Sequence, residues 1–248
     1  MCFNMSIVKE IEAIQDEFKA YFAQHPILTE KVLSMYNLSG FTHPGWPVIC
    51  KDSPKVINML PWGLIPHWIK DSTAAGDIRN KTLNARGETL EKLPSYRYSF
   101  PKKTCLIIAE GFFEPHQYRK TSYPFYVHRS DNHLLSLGGI YADWKDPDSG
   151  EIHRSFSIIT VPSTGLIDQI HNHKHRMPLI IPEEERAQWI DSGQSADTCR
   201  TMIQSREPKL ITAYPVSRSL YAKGIDTNTQ NNRERFHYAI PEIDSLAG

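Results

Sequence analysis

Residues 104–115 read TCLIIAEGFFEP, and this stretch decides what kind of fold the chain has. Cys105, Leu106, Ile107 and Ile108 make a short apolar run that stops at Glu110-Gly111. A run of that length, β-branched and bounded by polar residues and glycine, predicts a strand over Thr104–Ala109. Two aromatics and a carboxylate follow it, Phe112, Phe113 and Glu114. A glutamate beside aromatic rings is partly desolvated, which lifts its pKa toward the range of general acid–base work. A surface glutamate at a strand end is the plainer alternative.

Similar short runs lie on both sides. Strands are predicted over Pro47–Cys50, Val56–Pro61, Pro124–His128, Leu134–Tyr141, Ser155–Val161, Leu179–Ile181 and Leu210–Val216. Each is bounded by Gly, Pro, Asp or Ser. Helices are fewer. Ile7, Ile11, Ile14, Phe18 and Phe22 recur at helical spacing behind Ser6, which predicts a helix over Ser6–Phe22. Two more are expected over Ser163–Ile170 and Pro182–Ile190; in the second, Pro182 and Glu183–Glu185 suit the first turn and the helix dipole. Many strands with few helices predict an α+β fold, a single domain around a strongly curved, barrel-like, mostly antiparallel sheet with flanking helices. The domain is expected to span residues 1–220, with a polar C-terminal tail over 221–248 that holds Asn228, Gln230, Asn231 and Asn232.

Composition limits the function classes. The chain has 248 residues, 40% apolar and 23% charged, with a formal net charge of +0, so no global field draws it to nucleic acid or membrane. A local basic stretch exists: His67–Lys103 holds eight Lys/Arg and four Asp/Glu, a net of +4. Cys2, Cys50, Cys105 and Cys199 are scattered without metal-ligand spacing, which predicts free thiols in a reducing cytoplasm. Lys9 and Glu10 interrupt any signal-like run, and no apolar stretch approaches the ~20 residues of a membrane helix.

Cys2 directly follows Met1. Removal of Met1 would leave a thiol and an α-amine on one residue, titrating near ~8.5 and ~8. The amine condenses with an aldehyde, and the thiol then closes on the imine carbon to give a thiazolidine. The alternative is one more buried thiol at a terminus.

Three further segments carry chemistry. In 61–68, PWGLIPHW, Trp62 and Trp68 sit in a rigid Gly/Pro turn, a candidate platform for bases of single-stranded DNA. Core anchoring is the plainer reading, more so for Trp62. In 83–89, LNARGET, Asn84 is a candidate helix cap or orienter of a substrate oxygen, and Arg86 suits a phosphate. In 170–178, IHNHKHRMP, His171, His173 and His175 alternate. On a strand they would share a face, as metal ligands do. Lys174 and Arg176 oppose a dication, so a basic phosphate-facing loop with one acid–base histidine is the better reading, with no metal.

The order of these segments, an N-terminal Cys, then WGLIP-W, NAR-x-ET, GFFE and IH…RMP, resembles the SRAP (SOS response-associated peptidase) family over Cys2 to Ser217. The resemblance implies a DNA damage sensor that recognises abasic sites in single-stranded DNA and links to them covalently. Its catalytic group would be Cys2 as nucleophile, Asn84 to position it, Glu114 to handle protons and His171 to assist sugar opening. Trp62, Trp68, Arg86, Lys174 and Arg176 would contact DNA. No cofactor, membrane or obligate protein partner is implied. The chain departs from the family pattern at Phe3-Asn4, where Gly-Arg is usual, at Pro115, where Trp is usual, and by two extra residues between His171 and Arg176. An N-terminal-nucleophile hydrolase acting on peptides and a non-covalent single-stranded or modified-DNA module are the competing readings.

Overall fold

Thr104–Ala109 is a strand, and every residue in it is buried. The structure, a computed structural model, describes residues 2–24, 31–222 and 224–246. Its strands are β1 (Asn4–Glu10), β2 (Tyr21–Phe22), β3 (Val32–Ser39), β4 (Gly45–Cys50), β5 (Val56–Pro61), β6 (Asn84–Arg86), β7 (Thr104–Ala109), β8 (Gly111–Tyr118), β9 (Thr121–Arg129), β10 (Leu135–Lys145), β11 (Ile152–Pro162), β12 (Arg176–Pro178) and β13 (Ile211–Pro215). Its helices are α1 (Ile11–Phe18), α2 (Ser72–Arg79), α3 (Gly165–Ile170), α4 (Arg186–Trp189), α5 (Ala196–Met202) and α6 (Pro241–Asp244).

The strands form two sheets. One has the order β13-β9-β8-β1-β3; the other runs β12-β11-β10-β7-β4-β5-β2, with β6 parallel to β11. Pairing is mainly antiparallel, so the α+β expectation holds. The barrel-like sheet does not: neither sheet closes or curls strongly. The physical reason lies in the quoted stretch. β7 belongs to the larger sheet and β8 to the smaller, and the chain changes sheets across Glu110. One hydrophobic cluster takes Ile49, Ile107 and Leu137 from one sheet and Met5, Phe112 and Val127 from the other. Two open sheets that share a core bury their apolar faces without closure.

Gly111 makes the change of sheet possible. A Cβ there would lie 2.4 Å from the Tyr126 ring on neighbouring β9. The β8–β9 hairpin turns at Arg119 and Lys120, both at positive φ, as a two-residue turn of the primed type requires.

The expected helix over Ser6–Phe22 is half strand. β1 pairs with β3 and β8, and only Ile11–Phe18 is helical. The Ser6 hydroxyl caps nothing; it donates to the Met35 carbonyl at 3.1 Å. The strand expected over Leu179–Ile181 lies just past the end of β12 at Pro178: Leu179 and Ile181 still bond to the backbones of β11 and β10, and Ile180 makes an isolated bridge to Leu137. The helix expected over Pro182–Ile190 is a 3-10 turn, Glu183–Glu185, followed by α4. Among the described residues, 224–246 are tied to the body: Ile243 is fully buried, and Asn228 Oδ1 accepts from the backbone N–H groups of Tyr36 at 2.7 Å and Asn37 at 3.2 Å on β3. No described helix is long and apolar enough to cross a membrane.

Candidate active site

Cys2 lies just ahead of β1, fully buried. In the β1–β8 register Asn4 faces Phe113. Because the strands are antiparallel, residues before Asn4 run alongside those after Phe113, where Glu114 stands. From the larger sheet, β6 begins with Asn84, whose Nδ2 donates to the Cys2 carbonyl at 2.8 Å. Tyr96 fixes Asn84 from below: its hydroxyl donates to the Asn84 carbonyl at 3.1 Å. Asn84 Oδ1 is buried with no partner among the described residues, so one acceptor remains for a bound group.

His171 follows α3, and its burial beside Glu114 completes the cluster. Its Nδ1 stands 3.6 Å from Glu114 Oε2 and 2.6 Å from the Arg176 carbonyl. A carbonyl only accepts, so Nδ1 carries the proton and donates to it. Burial lowers the His171 pKa to about 4. Burial raises the Glu114 pKa to about 7. Near neutrality the pair is therefore a neutral imidazole beside a carboxyl that exchanges its proton readily. The Cys2 thiol is pushed well above its ordinary range, first by burial and then by the Glu114 charge.

Of these four residues, His171 lines an adjoining cleft of about 360 Å³, together with Phe3, Phe113, His173, Lys174 and Tyr221 among others. A larger cleft of about 910 Å³ lies elsewhere, between α1 and α4, and shares no residue with this cluster.

The predicted residues thus separate. Cys2, Asn84, Glu114 and His171 converge from four separate segments. Lys174 lines the cleft, Arg86 is exposed, and Trp68 is 42% exposed with its indole N–H on the Pro94 carbonyl. Trp62 does not present a face to DNA: it is fully buried, stacks on Phe156 and donates to the Leu83 carbonyl at 2.8 Å. Nor is Arg176 free for phosphate; it is held by Glu88 and by the Thr160 carbonyl. The three alternating histidines lie in the turn between α3 and β12 rather than on a strand. His171 points inward, His173 is exposed on the cleft wall, and His175 pairs with Asp168 at 2.8 Å. Sequence reasoning missed Tyr96 and Tyr221. Tyr221 lines the same cleft as His171, and its pKa is raised, first by desolvation and then by Glu114. Nothing local in either stretch marks it, since both act across the fold.

Asn84, Glu114 and His171 thus gather around Cys2, the second residue of the chain. The chain belongs to the SOS response associated peptidase (SRAP) family, whose model matches residues 1–222. It is 28% identical over 228 residues to the abasic site processing protein YoqW of Bacillus subtilis (strain 168), covering 88% of this chain and 92% of that one. It is also 28% identical to the abasic site processing protein HMCES of Xenopus tropicalis, over 76% of this chain but only 58% of that longer protein. A crystal structure of a protein from Bacteroides thetaiotaomicron superposes with a TM-score of 0.85 at 29% identity, covering 95% of this chain and 100% of that one.

Proposed function

We propose that this chain processes abasic sites in single-stranded DNA by forming a covalent thiazolidine link through Cys2 once Met1 is removed. The observation that carries this reading is the convergence of Asn84, Glu114 and His171 on Cys2. An abasic deoxyribose opens to an aldehyde. The Cys2 amine adds to the aldehyde carbon, and the carbinolamine then loses water as Glu114 gives up its proton to the departing oxygen. The thiol adds to the imine carbon, its proton passes to the nitrogen through Glu114, and a thiazolidine closes. One water is lost overall. A thiol held neutral by burial lets the amine lead and the sulfur follow. Asn84 holds the terminus by its carbonyl, and its unpartnered Oδ1 is left to orient the sugar. In this reading neutral His171 takes or returns a proton at the sugar during ring opening.

The relatives named above are abasic site processing proteins, which supports this substrate. The family description as a peptidase supports a second reading, that the same cluster removes Met1 from its own chain. Protein with Met1 loss checked by mass, mixed with single-stranded DNA carrying one abasic site, should give a heat-resistant band on a denaturing gel. Cys2→Ala should give none. No band from fully processed wild type sinks the covalent reading.

A further inference from the structure

Phe3 follows Cys2 and lines the cleft beside His171 and Lys174. Its ring packs on that of Phe41, with centroids 5.1 Å apart and planes at 35°. Phe41 nonetheless leaves 53% of its surface exposed. The turn that carries it is held on every side. Gly40 N–H donates to the Phe3 carbonyl at 2.8 Å, and Ser39 Oγ accepts from Phe41 N–H at 3.4 Å. Thr42 Oγ1 donates to the Ser39 carbonyl at 2.8 Å, and His43 Nδ1 meets the Trp62 carbonyl at 2.8 Å. Gly40 itself lies against the buried Trp62 indole, where an added Cβ would meet the ring at 3.0 Å. A fixed turn therefore presents a large apolar ring to solvent at the edge of the cleft.

Among the lining residues Lys174 is the cation. Asn4 is used by Asn37 Oδ1 at 2.8 Å, and Arg176 by Glu88. An abasic strand has the complementary need: the missing base leaves its neighbours without a stacking partner. We propose that Phe41, backed by Phe3, is a nucleobase-stacking subsite for the base adjacent to the abasic sugar. This inference rests on the reading of the site given above. It assigns recognition at this edge to a π-face rather than to phosphate contacts, and stacking of this kind tolerates any base because every base has a π-face.

The test is non-covalent, so it does not depend on Cys2 chemistry. Fluorescence anisotropy would measure wild type and Phe41→Ala on an oligodeoxynucleotide with one tetrahydrofuran abasic analogue, flanked by adenine or by a second baseless residue. Phe41→Ala should weaken binding to the adenine-flanked strand on the order of tenfold, with an unchanged salt slope. Removing the flanking adenine should cost wild type the same factor and the variant nothing further. Phe41→Trp should bind at least as tightly as wild type. Equal affinity of Phe41→Ala and wild type, a loss indifferent to the flanking base, or no binding by folded wild type each overturns the subsite. Base-dependent binding without any crosslink from an authentic abasic site would instead sink the covalent reading alone.

Discussion

Glu114 is the residue on which the proposed chemistry turns, and its burial has a cost that pH reveals. Its folded pKa is raised from 4.5 to about 7, so folding favours its protonated form. The resulting stability is present below the ordinary value and is lost as pH rises through about 7. His171 works the other way, lowered from 6.5 to about 4, so its contribution is lost as pH falls through that window. Glu114→Gln removes the first effect and leaves the second. Its melting temperature relative to wild type should rise between pH 5 and pH 8, by an amount equivalent to on the order of 3 kcal/mol; a flat difference across that range would contradict a desolvated carboxyl. The same variant should slow crosslinking by roughly 100-fold or more in single-turnover gels, while noncovalent DNA binding persists. Asn84→Ala should slow it by roughly 100-fold too, through misplacement of the terminus rather than loss of a proton carrier, so its rate should keep the wild-type pH profile.

At the scale of elements, the β1–β8 pairing that starts after the change of sheet at Glu110-Gly111 brings Glu114 toward Cys2. Gly111→Ala would drive a methyl into Tyr126 and should cost about 1–3 kcal/mol, read as a lower denaturant midpoint. An unchanged midpoint would mean that the β8–β9 packing yields easily. Val56–Pro61 and Thr104–Ala109 were legible to the residue because they are compact apolar runs with sharp polar or glycine borders. β8 was not legible: Gly111, Glu114, Pro115, His116 and Gln117 are poor strand formers, and pairing with β1 and β9 overrides them. β1 was misread because Ile7, Ile11 and Ile14 span a junction. Ile7 is buried by strand pairing and Ile14 by a helix, and their spacing imitates one continuous helical face. The carboxylate of Glu114 was visible as chemistry beside aromatic residues, whereas its partners were visible only as separate motifs.

Across the whole molecule, charge is balanced and local. With a net charge of +0, noncovalent affinity for DNA is expected to rest on a few cations and on the proposed stacking. Lys174, exposed on the cleft wall, should be one of those cations, and Lys174→Ala should reduce the slope of log K against log salt by about 1. Arg176→Ala should leave the slope unchanged and lower the melting temperature instead, because its guanidinium is already held by Glu88 and Thr160. A reversed pattern, with Arg176 setting the slope, would return that residue to the DNA-contacting group.

The sequence by itself determined the chemical inventory: a cysteine behind Met1, an asparagine, a glutamate and a histidine in ordered motifs, and an α+β pattern of short strands. These are local properties, set by residue type and by the period of apolar runs. Only the tertiary structure decided that two open sheets share one core, that Trp62 and Arg176 are engaged within the fold, that His171 and not its neighbours meets Glu114, and that Phe41 stands exposed against Phe3. Each of those outcomes depends on which distant segments pair and on which side chains lose water in doing so. Neither is written in the spacing of residues along a single stretch of chain.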